Sequence, residues 1–149
     1  NLKEVIMILI YTVDENYGIL FNNRRVSRDR EVVKDIFSIT MDKRLFMDEY
    51  SVEMFENAIL ENDIDVSDNE LIVEPDPISV CGDNDVCFVE KEIIDKNTCN
   101  IEEVILYKWN RLYPSDVQFD ESLLEGKELV ESYDFQGYSH ERITREIWR

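Results

Sequence analysis

The run VIMILIYTV, Val5 to Val13, constrains the chain more than any other stretch. It is far shorter than the roughly 20 apolar residues that cross a bilayer, and Tyr11 and Thr12 interrupt it. It therefore reads as a buried strand. No basic segment precedes it and no small-residue cleavage site follows, so no secretion signal is expected. Residues Asn1 to Ile6 read as an N-terminal extension ahead of Met7. A chain of 149 residues, 44% hydrophobic with only 4 Gly and 3 Pro, can bury one sizeable core, and a single domain over residues 1–149 is expected.

Alternating elements follow this strand. After the polar turn DENYG comes a helix predicted from about Arg28 to Ile39. Ser27 is read as its N-cap, Asp29 and Glu31 complement the helix dipole, and Val32, Val33, Ile36 and Phe37 share a face. Arg44 to Met47 reads as a short strand. Ser51 then caps a second predicted helix, with Val52, Phe55 and Ile59 on one face. NELIVEPDP gives a strand ended by Pro75 and Pro77, GDND a turn, VCFVEKEII a strand, and Val104 to Trp109 another. KELVESYDF and RITREIW flank QGYSHE as an antiparallel hairpin. Strand, helix, strand, helix, strand at the front implies parallel pairing in an α/β fold, to which the hairpin adds antiparallel edge strands.

Composition narrows the function classes. There are 34 acidic and 16 basic residues, and the segment from Glu61 to Glu103 alone holds 14 acids against 2 bases. That field repels nucleic acid and anionic membrane, so neither is expected as a partner. Cys81, Cys87 and Cys99 lack C-x-x-C spacing and His140 is the lone histidine, which leaves a Cys/His metal site short of ligands. The cysteines read as buried, reduced thiols of a cytoplasmic protein.

Several strings, in order, resemble the dihydrofolate reductase family. VDENYG is similar to that family's opening A-V-D-x-x-x-G, with Val13, Asp14 and Gly18 in register. DKRLFM resembles its x-K-P-V-I-M-G strand and DEYSVEMF the G-R-x-T-x-E-S-I segment after it. EEVILYKWNRLYPSDVQFDE, through Asp116 and Phe119, resembles the later strand and its G-D-x-x-F-P sequence, and the final hairpin is similar too. The likeness covers about two thirds of the chain. It implies a three-layer sandwich: a central, mostly parallel sheet, helices on both faces and a C-terminal antiparallel hairpin.

Departures fall where that family's chemistry resides. Its members reduce a pterin with hydride from NADPH. The phosphate-binding G-R-x-T is here Asp48-Glu49-Tyr50-Ser51, and the family's Gly-Gly pair reads Glu90-Lys91-Glu92. Carboxylates at a helix N-terminus repel the phosphate that such a site otherwise attracts. Lys108 stands where a strand threonine steadies the catalytic acid. NADPH binding is therefore expected to be absent. By resemblance, Asp29 matches the pterin-binding carboxylate, with Glu31 as a rival assignment.

The remaining candidates are Arg24, Arg25, Arg28 and Arg30 in FNNRRVSRDREVV. They either pair with the acidic middle segment and with Asp29, Glu31 and Asp35, or clamp an anionic small molecule or a protein carboxylate. The expected function is a small-ligand or protein-binding module on this scaffold; the alternative is a divergent reductase with Asp29 as proton donor. His140 reads either as a proton carrier or, as is commoner for a lone loop histidine, as an exposed residue without a task. Tyr107, Trp109, Tyr113 and Trp148 form either a docking surface or interlayer packing.

Overall fold

In the computed structural model, which describes residues 6–92 and 94–149, the apolar run becomes β1 (Ile6–Val13), the middle strand of a seven-stranded sheet. The readings for residues 1–5 and for Ile93 lie outside the described residues. In chain order there follow β2 (Gly18–Phe21), β3 (Arg24–Arg25), α1 (Arg30–Ile39), β4 (Arg44–Met47), α2 (Glu49–Asn62), β5 (Glu70–Val73) and α3 (Pro77–Val80). Then come β6 (Val86–Phe88), β7 (Asn100–Lys108), β8 (Val117–Gln118), a 3-10 turn (Glu121–Leu124), β9 (Leu129–Phe135) and β10 (Ile143–Trp148).

The sheet runs β5-β4-β6-β1-β7-β10-β9. The contacts of β4 with β5 and β6, and of β1 with β6 and β7, are parallel; β10 pairs antiparallel with both β7 and β9. A second small sheet, β3-β2-β8, stands beside it, with Asn22 and Asn23 at φ 51° and 59° making the tight turn between β2 and β3.

Strand alternation sorts the core into two layers. Ile8, Ile10, Ile105, Tyr107 and Trp109 face α1 and α2, whose buried faces supply Val32, Val33, Ile36, Phe37, Val52 and Phe55. Each such side chain contributes about 1.5–3 kcal/mol on leaving water. Met7, Leu9, Tyr11, Val104 and Leu106 face the other way, under Ile78 of α3, Leu123 of the 3-10 turn and Ile19, Leu20 and Phe119. Helical cover is thus present on both faces, with the two long helices together on one. No helix among the described residues is long and apolar enough to cross a membrane.

Four boundaries differ from expectation. Asp29, not Ser27, caps α1, accepting from the Glu31 amide at 2.9 Å, so the helix starts at Arg30. Asp48, not Ser51, caps α2, its carboxylate accepting from the Ser51 amide at 3.0 Å. Aspartate caps as well as serine, and both serines have other partners. The strand expected across VCFVEKEII closes at Phe88, because Glu90 turns inward to an ion pair; β7 conversely begins earlier, at Asn100. Cys81, Cys87 and Cys99 are free and buried.

Candidate functional site

The loops at the C-terminal end of β1 are fastened by Asp14, which is 1% exposed. Its carboxylate accepts from the amides of Asn16 (2.8 Å) and Gly18 (2.7 Å) and, from 99 residues away, of Tyr113 (3.0 Å). A side chain at position 18 would meet Ser115 Oγ at 2.5 Å, so glycine is required for this close approach. The result places the Tyr113 ring beside the loop between β9 and β10.

That loop returns His140 into the core, only 3% exposed. The imidazole stacks on Trp109, centroids 4.7 Å apart, and its Nδ1 lies 2.9 Å from Asp29 Oδ2. Asp29 also accepts from the amides of Glu31, Tyr138 and Ser139, each at 2.9 Å, and from the Ser139 hydroxyl at 3.2 Å. Burial pushes its carboxyl up, but the bonds from the Tyr138 amide, His140 and the Glu31 and Ser139 amides outweigh that and hold it below the usual carboxylate range. An ionised Asp29 can only accept, so Nδ1 carries the imidazole proton and Nε2 is left as an acceptor. Two hydroxyls face Nε2, Tyr113 at 2.8 Å and Ser27 at 3.0 Å, and the Ser27 hydroxyl donates to that of Tyr113 at 3.2 Å. A Cβ at Gly137 would sit 2.7 Å from Asp29 Oδ2 and 2.8 Å from the His140 carbonyl, so this turn has room for glycine alone.

His140 is therefore neither exposed nor without a task. Of the pairings expected for the arginines, none with Asp29 forms among the described residues, and Arg30 approaches Glu31 at 3.8 Å. Nor does Asp35 serve them: it accepts from Arg145 and from the Tyr107 hydroxyl at 2.6 Å. Lys108 lies on the opposite face of β7 from Tyr107, 3.7 Å from Glu146. Tyr107 and Trp109 pack in the core, whereas Tyr113 and Trp148 are half-buried.

The four arginines divide. Arg25 makes a two-pronged bond to Glu90 (Nε 2.8 Å, Nη2 2.9 Å) with its guanidinium 4.3 Å over the Tyr50 ring. Glu90, whose side chain is 3% exposed, also accepts from the Ser51 hydroxyl at 2.8 Å. Arg30 donates to Asn62 at 2.6 Å and lies 3.5 Å over Tyr138. Arg24 and Arg28 are exposed and have no carboxylate partner among the described residues. Arg24 borders a cavity of about 470 Å³ with Phe21 and Pro114; Arg28 borders a groove of about 530 Å³ with Met54, Asn57, Asn62 and Tyr138.

Next to Glu90 the field stays negative. Burial, reinforced by the charges of Asp76 and Asp48, pushes the Glu92 carboxyl up to about 7 from an ordinary 4.5. An acid whose folded value is raised gives stability that is full below about 4.5 and declines as pH climbs toward 7, since the unfolded chain ionises first. Glu92→Gln should flatten that decline, read as urea midpoints that no longer fall across this window.

His140, Ser27 and Tyr113 were not singled out as a site by sequence. Apart from the adjacent Ser139 hydroxyl, the partners of His140 lie 111, 113 and 27 positions away, beyond any local pattern. The one local signal is Gly137, three residues ahead of the histidine. Among the described residues no group of three or more His, Cys, Asp or Glu side chains could hold a metal ion.

Strand order, the paired helices and the closing antiparallel strands define a dihydrofolate reductase-like α/β fold. Among solved structures, the chain is similar to dihydrofolate reductase from Enterococcus faecalis, complexed with NADP(H) and RAB-propyl. The match has a TM-score of 0.55 and 10% identity over 97% of this chain and 95% of that one. No protein-family model and no curated protein matches the chain.

Proposed function

We propose that this chain is a binding module on a dihydrofolate reductase-like scaffold, without NADPH-dependent hydride transfer. It takes a small anionic ligand, or a carboxylate presented by a protein, in the groove beside α1. The observation that carries this reading is the division of the arginines. Arg25 is committed to the buried Glu90, while Arg28, without a carboxylate partner among the described residues, stands on an open groove of about 530 Å³ that Arg30, Asn57, Asn62 and Ser139 also line, with the exposed Glu61 carboxylate at its edge.

The corner at Glu90 opposes the alternative cofactor. A phosphate arriving there would join Asp48, Asp76 and Glu92, and Glu92 already resists ionisation in their presence. A proton-donor role for Asp29 is disfavoured for a different reason: five donors already hold the carboxylate in its ionised form.

Titration with a small dicarboxylate such as succinate, followed by amide chemical shifts, tests the reading. Perturbations should centre on Arg28, Asn57 and Asn62, and Arg28→Ala should weaken binding about tenfold or more, as loss of one charge-assisted contact costs about 1.5–3 kcal/mol. Saturable binding that ignores Arg28→Ala, or no perturbation in the groove by succinate or by an acidic peptide, would contradict it.

A further inference from the structure

We propose that Ser27, His140 and Asp29 form an acyl-transfer centre in which Ser27 is the nucleophile, with short-chain acyl esters as the substrate class. This is independent of what Arg28 binds. The geometry is that of a relay: Asp29 Oδ2 to His140 Nδ1 is 2.9 Å, and His140 Nε2 to Ser27 Oγ is 3.0 Å. The nucleophile and its base lie within hydrogen-bond reach, and a third group orients the base. The amide bonds that keep Asp29 ionised fix the tautomer in which Nε2 can accept a proton.

A second observation points to where the acyl group lies. Ser27 opens on a small cavity between α1, α2 and the sheet that is also lined by Trp109, Val33 and Phe55. Its volume of about 10 Å³ admits one water-sized group. The Trp109 indole N–H is buried without a hydrogen-bond partner. A buried donor left unpaired is costly and rare. Because Trp109 lines the slot, its N–H is the donor assigned to the oxygen of a carbonyl that enters there, the role of an oxyanion donor. A slot of one water's size takes the carbonyl oxygen alone, so the rest of the acyl group stays outside it, where a short acetyl group meets fewer side chains than a longer chain.

The steps balance. Ser27 Oγ attacks the ester carbonyl carbon while its proton passes to His140 Nε2. The tetrahedral intermediate collapses, the carbon–oxygen bond to the alcohol breaks, and Nε2–H protonates the departing alkoxide. Water then attacks the acyl-serine with His140 again taking its proton, releasing the carboxylic acid and regenerating Ser27. Ser27 and His140 are the catalytic residues; Asp29 is a positioning residue. Tyr113, bonded to Nε2 at 2.8 Å and accepting from the Ser27 hydroxyl at 3.2 Å, must release both bonds as the imidazole takes up the serine proton.

The test is incubation of the folded chain with p-nitrophenyl acetate, followed by peptide mass mapping and p-nitrophenol release. The expected result is an acetyl group on Ser27, formed faster than a butyryl group from the butyrate ester, and absent in Ser27→Ala. His140→Gln should slow acylation about 100-fold or more, the usual contribution of a general base. Asp29→Asn should lower the plateau of the rate against pH, because an amide no longer fixes the tautomer that leaves Nε2 free, and Asp29→Glu should restore part of it. Should His140→Gln or Asp29→Asn fail to fold, Ser27→Cys answers instead: iodoacetamide should alkylate it with a midpoint well below the usual thiol value of about 8.5. No adduct on Ser27 in the folded protein, an adduct formed equally fast without His140, or an ordinary thiol at position 27 would overturn the proposal.

Discussion

Arg25→Ala should destabilise the protein by about 3–5 kcal/mol, the usual cost of leaving one member of a buried ion pair alone. Glu90 would keep its burial and its single bond from Ser51 while losing both guanidinium contacts. Urea denaturation at neutral pH measures the loss. The paired change Arg25→Met with Glu90→Leu is the control, since replacing both charges by apolar groups of similar volume is often neutral or stabilising. Recovery in the double variant would assign the damage to an uncompensated carboxylate; equal damage in both would assign it to lost packing on Tyr50.

Phe55→Ala should cost a similar amount, about 3–5 kcal/mol, for a reason of another kind. Phe55 is fully buried and stands edge-on to Phe37 of α1 at 5.6 Å and to Phe88 of β6 at 5.0 Å. It joins both long helices to the sheet, so truncation leaves a cavity at the centre of that layer which the backbone cannot close. The midpoint of thermal unfolding should fall by about 10 °C. A fall of only a degree or two would show that the layer collapses around the gap.

The parts of the fold legible in sequence are those with a short period. The apolar run of β1, the shared faces of α1 and α2 and the closing hairpin all repeat within a few residues, and each forms where its pattern lies. The helix starts were misread because serine and aspartate cap equally well, and the choice was made elsewhere. Ser51 bonds Glu90 and Ser27 bonds His140, so the neighbouring aspartates cap instead. β6 was overextended for the same reason: Glu90 is called inward by Arg25, 65 positions away. The candidate site followed this rule. Asp29 and the arginines stand out locally, whereas their division into paired and unpaired members depends on distant carboxylates, and the depth of His140 depends on a turn that only Gly137 permits.

The central proposal is that the carboxyl groups around Glu90 and Glu92 keep NADPH from binding. Isothermal titration of the purified chain with NADPH, in the presence and absence of dihydrofolate, tests it most directly. The account predicts no saturable heat and no oxidation of the dinucleotide; micromolar binding accompanied by dihydrofolate-dependent oxidation would contradict it.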